Sequence, residues 1–182
     1  MPEHDQPQSD DKYPNHLLPQ HLGLLTKARL SAEVVRLRGY RSAKSRKDLL
    51  DLGFQPRQGN VPALVIPIHG VDGQKVNHLI RPDSPRIKQE RRIKYELPKG
   101  TTLRIDVPPA CLVALADTTK ELWIADGPIQ ADAMASARLT CIALLGPHGW
   151  RHFLKPGKPV LADWPKIQLE GRTVNTAFGS DV

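Results

Sequence analysis

Three short apolar segments in the last third of the chain each run into a glycine. They are Leu122–Ala125 before Asp126-Gly127, residues 140–145 before Gly146, and residues 174–178 before Gly179-Ser180-Asp181. A helix-like run separates the first two segments, and parallel strands joined by crossovers place their carboxyl ends at one sheet edge. The pattern predicts an α/β fold with Asp126 and Asp181 at that edge, where divalent metals often bind. Both could instead be ordinary surface acids at strand ends.

Composition and periodicity divide the chain into three parts. Residues 1–16 are polar and predicted to form a disordered tail. Residues 17–109 are predicted to form a small basic α/β subdomain. It has helices within 17–55, strands at 63–68 and 75–81 around the turn Asp72-Gly73, and a strand at 104–107. Ser31 is expected to cap one helix, and either Ser45 or Lys47 is expected to begin a second. Residues 110–182 carry the strand and helix pattern described above.

Positive charge is concentrated in two runs. The chain has 26 Lys and Arg against 19 Asp and Glu, a formal net charge of +7, and the excess lies mainly in residues 27–47 and 81–94. Such clusters neutralise phosphates, and a nearby tyrosine, Tyr40 or Tyr95, can stack on an unpaired base. Two solvated faces with half-buried tyrosines would give the same pattern. The residues predicted to bind nucleic acid are Arg36, Arg38, Arg41, Arg81, Arg86, Lys94, Tyr95 and Gly127.

Several other classes of protein are disfavoured. Cys111 and Cys141 lie in apolar surroundings and are expected to be buried free thiols; two cysteines cannot form a four-cysteine zinc module. No phosphate-binding loop of the G-x-x-x-x-G-K-[ST] type occurs, which argues against an intrinsic ATPase. No apolar run approaches the roughly 20 residues of a membrane span, and the N-terminus is unlike a signal peptide. We therefore expect a cytoplasmic protein without a membrane partner.

The chain resembles the Toprim fold of primases and topoisomerases. The most similar group is a Toprim-like domain of unknown function, DUF3854-type, found in plasmid and phage replication proteins. The resemblance rests on short segments in matching order, covering roughly residues 17 to 182. The segments are RGYRS, LGF, PALVIPI, DGQ, RPDSPR, KYELPKG, DVPP, LWIADGPIQADA, GPHGWR and the end ADWPKIQLEGRTVNTAFGSDV. The stretch from PALVIPI to KYELP is similar to the basic subdomain that precedes the Toprim strands in bacterial primases.

The resemblance implies a parallel sheet flanked by helices, cut short at its C-terminal end, and a Mg²⁺ site that has degenerated. The family places Glu-Gly after its first strand and Asp-x-Asp after its third, whereas this chain has Asp126 and Gly179 there. Only Asp126 and Asp181 remain as candidate catalytic and metal-binding residues, for a primase-like nucleotidyl or phosphoryl transferase. The implied partners are DNA or RNA in single-stranded form and a replicative helicase. A non-catalytic remnant and a protein-interaction adaptor of a replication complex are the alternatives.

Overall fold

The structure, a computed structural model, describes residues 13–146, 149–151 and 160–179. Its N-terminal part contains three helices: α1 (Pro19–Lys27), α2 (Ala32–Arg38) and α3 (Arg46–Leu50). The cap predicted at Ser31 is confirmed, since its side chain accepts a hydrogen bond from the Val34 amide. Of the two starts considered for the second helix, the structure has Ser45, which forms a reciprocal capping box with Asp48. Tyr13, within the predicted tail, donates a hydrogen bond to the Leu30 carbonyl (2.9 Å) and so contacts the folded body.

The first sheet is antiparallel and has the order β1-β2-β3. Its strands are β1 (Arg41–Ala43), β2 (Ala63–His69) and β3 (Lys75–Pro82). The strands predicted at 63–68 and 75–81 are confirmed, and Gly73 has the positive φ (75°) that the turn between them requires. β1 lies inside the segment predicted to be helical. The chain is extended there because β1 pairs with β2, and its one buried residue, Ala43, packs beside Leu49, Phe54 and Val65.

A two-stranded hairpin, β4 (Ile87–Lys88) and β5 (Arg91–Arg92), follows β3. The strand predicted at 104–107 is wrong. That segment makes a single antiparallel bridge, Asp106 to Ala143, before Pro108 and Pro109, which cannot donate to a ladder. The chain then turns into the short helix α4 (Leu112–Leu115).

The second sheet is parallel, with the order β7-β6-β8. Its elements are β6 (Leu122–Ala125), α5 (Pro128–Ser136), β7 (Cys141–Ala143) and β8 (Val174–Ala177). β6 is the central strand, and its Leu122 lies opposite Val174 of β8, so the first and third apolar segments are neighbours in the sheet. Cys111 and Cys141 are buried free thiols, as expected. In the part of the chain described here, no helix is long and apolar enough to span a membrane.

A buried ion cluster joins the two sheets. The Arg38 guanidinium donates to both carboxylate oxygens of Asp132 (2.9 and 2.7 Å), to Asp106 and to the Pro67 carbonyl (3.1 Å). The Tyr40 hydroxyl donates to Asp132 (2.6 Å). Burial disfavours the charged form of Arg38, but the two carboxylates hold its pKa well above the ordinary value.

The prediction that Arg38 binds nucleic acid is therefore wrong. Arg38 is 1% exposed and Tyr40 is fully buried, so neither side chain can reach a phosphate or a base. The charge of this arginine is used inside the protein, where it compensates two acids that α5 and the segment before Pro108 bring into the interior.

Candidate nucleic-acid interface

Asp126 lies where the three parallel strands end. It follows β6, its backbone carbonyl accepts from the Gly146 amide after β7 (2.9 Å), and its Oδ2 accepts from the Gly179 amide after β8 (3.1 Å). Gly127 is the N-cap of α5 and has no side chain to cap the helix. The prediction for Asp181 lies outside the described residues.

A cleft opens in front of Asp126, and we call it the Asp126 cleft. Its volume is ≈ 610 Å³, and its lining combines the end of the parallel sheet with residues of the basic N-terminal part. The lining residues are Ala28, Lys94, Tyr95, Asp126, Gly127, Ile129, Gln130, Ala133 and Gly146. A smaller apolar pocket beside it (≈ 230 Å³) also contacts Tyr95 and Asp126 and is closed by Leu79, Leu97 and Leu145. The acid thus faces a space that also offers a cation, an aromatic ring and apolar side chains.

Two cations fix the ring of Tyr95. The guanidinium carbon of Arg81 and the Nζ of Lys94 each lie 5.8 Å from its centroid, within the range of cation–π attraction. Burial raises the pKa of Tyr95, and the Asp126 charge raises it further, while Arg81 lowers it. Tyr95 is therefore held at the cleft as a protonated, oriented ring.

A second cleft, the Arg92 cleft, adjoins the first and shares Lys94 with it. It measures ≈ 640 Å³ and contains three cations: Arg81, Arg92 and Lys94. Its one acid, Asp83, is already engaged, since it hydrogen-bonds to the buried His21 ring (2.9 Å) and to Gln20. With three cations against one acid, this cleft carries a positive charge that is suited to phosphate groups.

The remaining predicted residues are not brought to either cleft. Arg36 is exposed on α2 and Arg41 is half-buried in β1. Arg86 forms a two-pronged ion pair with Glu96, which is 5% exposed. Arg86 therefore compensates the charge of a buried carboxylate. The prediction that it binds nucleic acid is corrected: it fixes its own segment to Glu96.

The described residues fit a bound Mg²⁺ poorly. They contain no group of three or more potential metal-binding side chains, and Asp126 is the only carboxylate that lines the Asp126 cleft. A Cβ built on Gly179 would lie 3.5 Å from Asp126 Oδ2, in ordinary contact. A Cβ therefore has room at this position, whereas glycine offers only its amide.

Comparison with known proteins identifies the fold. No family model and no curated protein matches the sequence. Among solved structures, the chain is similar to the zinc-binding and RNA polymerase domains of the Aquifex aeolicus primase, with a TM-score of 0.57 and 13% identity over 88% of this chain and 43% of that one. It is also similar to the RNA polymerase domain of the Mycobacterium tuberculosis primase DnaG, with a TM-score of 0.54 and 17% identity over 86% and 58%.

The chain shares its fold with these primase domains. It spans about half the length of each (43% and 58%). The predicted α/β class and the parallel three-stranded sheet are confirmed by this likeness together with the strand pairing.

Sequence reasoning missed two features of the interface. Arg92 was only one member of a charged run, although it lines the cleft that bears most positive charge. The apolar wall of Leu79, Leu97 and Leu145 was not predicted at all. A signal for this wall existed in the alternation of the strand that becomes β3, where Leu79 is an inward-facing position.

Proposed function

We propose that the protein binds single-stranded nucleic acid, DNA or RNA, as a primase-like component of DNA replication in a plasmid, phage or other mobile element. The observation that carries this proposal is the convergence of Arg81, Lys94 and Tyr95 with Asp126 and Gly127. The primase fold supports the same function. A cytoplasmic location and contact with a replicative helicase belong to this proposal.

The two clefts are suited to different parts of a nucleic-acid strand. Arg81, Arg92 and Lys94 provide a run of positive charge that can follow a phosphate backbone. Tyr95 stands beside this run and lines the Asp126 cleft, and an unpaired base can stack on an aromatic ring whatever the identity of the base. Binding is therefore expected to have little sequence preference and a strong dependence on salt.

We further propose that any Mg²⁺ site is degenerate. Asp126 and Asp181 would hold the ion, which would neutralise phosphate charge when bound. Asp126 is a methylene shorter than the Glu of the family, and one of its oxygens already accepts the Gly179 amide. We expect weak Mg²⁺ binding and little or no primer synthesis, which favours nucleic-acid binding without catalysis over a full polymerase.

Fluorescence anisotropy with a labelled single-stranded oligonucleotide over a salt series tests the binding. Replacing Arg81 and Lys94 by Ala should lower the slope of log K against log salt by about 1.4, because each phosphate contact contributes about 0.7. The matched control is Lys120→Ala with Arg138→Ala, which removes two exposed cations that line neither cleft. A parent affinity that does not change with salt would overturn the proposal.

Catalysis is tested separately by incubating the chain with template, nucleotides and Mg²⁺. We expect no template-directed product above the background of the Asp126→Asn variant. Robust Mg²⁺-dependent synthesis that this substitution abolishes would show that the site is active and that its degeneration was wrongly inferred.

A further inference from the structure

The hairpin β4-β5 stands out because its sequence is poorly suited to its own stability. Its register places Ile87 opposite Arg92 and Lys88 opposite Arg91. Like charges directly across two strands repel each other, and an isolated two-stranded hairpin is marginal in water. Ile87 is also 70% exposed.

The turn of the hairpin adds backbone strain. Gln89 and Glu90 both have positive φ (49° and 64°), a conformation that suits Asn-Gly and costs other residues energy. Residue types and backbone conformations that reduce local stability are expected where a segment serves a function. A neutral hairpin with an Asn-Gly turn would be the stable solution at this position.

The protein nevertheless holds the hairpin firmly at its base. Arg86, just before β4, pairs with the buried Glu96, and Glu96 exchanges backbone hydrogen bonds with Ile80 of β3 (2.9 and 3.0 Å). The Ile93 amide closes the base by donating to the Arg86 carbonyl (2.8 Å). The arm is therefore fixed to the first sheet while its tip extends into solvent.

Cross-strand pairing divides the arm into two faces. Arg92 shares one face with Ile87 and lines the Arg92 cleft, whereas Lys88 and Arg91 share the other. Within the described part of the chain, these three cations have no ion-pair or hydrogen-bonding partner, and the arm has a single acid, Glu90. Arg92 is the residue through which the charge of the arm adjoins the Arg92 cleft.

We propose that the β4-β5 hairpin is a backbone-binding arm that holds the phosphates of the strand flanking the segment seated in the Asp126 cleft. A phosphate between Lys88 and Arg91 relieves their mutual repulsion. The arm carries no aromatic ring on which a base could stack, so it reads the backbone alone. This inference rests on the proposed nucleic-acid binding and adds where the strand continues.

Oligonucleotide length separates the arm from the clefts. Labelled single strands of about 4 and about 16 nucleotides span the usual range of binding-site sizes. Lys88→Ala with Arg91→Ala should lower the salt slope by about 1.4 for the long strand and leave the short strand unchanged. The control Lys120→Ala with Arg138→Ala should change neither. A second variant, Gln89→Asn with Glu90→Gly, removes the strain and the acid and should bind the long strand more tightly.

Thermal unfolding of the same variants excludes a merely structural role. Because Lys88 and Arg91 repel each other, replacing them should leave the melting temperature of the free protein unchanged or raise it. Three results for the Lys88→Ala, Arg91→Ala variant would each refute the proposed role of the arm. They are a lower melting temperature than the parent, a salt slope for the long strand equal to that of the parent, and an equal loss of slope for both strand lengths. If the arm is refuted but the Arg81→Ala, Lys94→Ala variant still has a lower salt slope than the parent, the proposed nucleic-acid binding stands without the arm. If the parent shows no salt dependence on either length, both proposals fail together.

Discussion

Replacing Arg38 by Ala should destabilise the protein severely. The substitution removes four hydrogen bonds, three of them to carboxylates and one to a carbonyl. Asp106 and Asp132 are fully buried, and the substitution leaves both carboxyl groups without their cationic partner. The loss in the free energy of unfolding comes more from leaving buried carboxyl groups uncompensated than from the lost hydrogen bonds themselves.

The expected loss is about 3–5 kcal/mol in the free energy of unfolding, the usual cost of removing one partner from a buried pair. For a chain of this length, about 1 kcal/mol corresponds to roughly 2–4 °C in the melting temperature, so a fall of roughly 6–20 °C is expected. The loss should also depend on pH. Burial raises the pKa of Asp132 and Arg38 opposes that rise, so without Arg38 the pKa rises further. A carboxyl group whose pKa is raised in the folded state destabilises the fold at pH values above that pKa. The stability lost on replacing Arg38 should therefore shrink as the pH falls toward about 4, the pKa of an unperturbed aspartate.

Urea denaturation at neutral and acidic pH measures both effects. The matched control is Arg36→Ala, which removes an exposed arginine from the same helix and should change stability by about 0.5 kcal/mol or less. A cycle with Asp132→Asn should show strong coupling to Arg38, because the two side chains share hydrogen bonds. An Arg38→Ala loss below about 1 kcal/mol, or one that does not vary with pH, would refute the reasoning.

Three further predictions concern the interface and the first sheet. Tyr95→Ala should weaken single-strand binding by about 1–3 kcal/mol while Tyr95→Phe retains it; equal affinities in anisotropy would contradict base stacking. Gly179→Asp should place a carboxylate beside Asp126 and increase Mg²⁺ binding in calorimetry, and no gain would show that a second acid is not what the site lacks. Burial lowers the pKa values of His69 and His78 to about 4. Stability should therefore fall as the pH drops from about 6.5 toward 4, and His78→Gln should flatten that fall in urea titrations; an unchanged slope would contradict the inferred shift.

The sequence predicted the parallel sheet because its signals are local. Each strand is a short apolar run that ends at a glycine, and the crossover rule then sets their relative direction. The position of Asp126 at the end of the first of these strands follows from the same pattern. The cap at Ser31 was also readable, since N-capping depends on neighbours within one turn.

The roles of the individual arginines could not be predicted in this way. Arg38, Arg86 and Arg92 all belong to basic runs, yet one is buried, one is anchored to Glu96 and one lines a cleft. What separates them is the presence of an acid in a distant segment, and the sequence carries no local sign of that acid. Arg38 meets Asp132 across 94 positions of the chain.

That separation has a consequence for the order in which the protein is made. At a synthesis rate of about 5–20 residues per second, α5 emerges roughly 5 to 20 s after α2. Asp106 emerges partway through that interval and Asp132 only at its end, so until then the first sheet cannot bury the Arg38 guanidinium with both of its carboxylate partners. The N-terminal half is thus expected to stay open until α5 arrives, and its basic surface completes folding together with the acidic strand end that it faces.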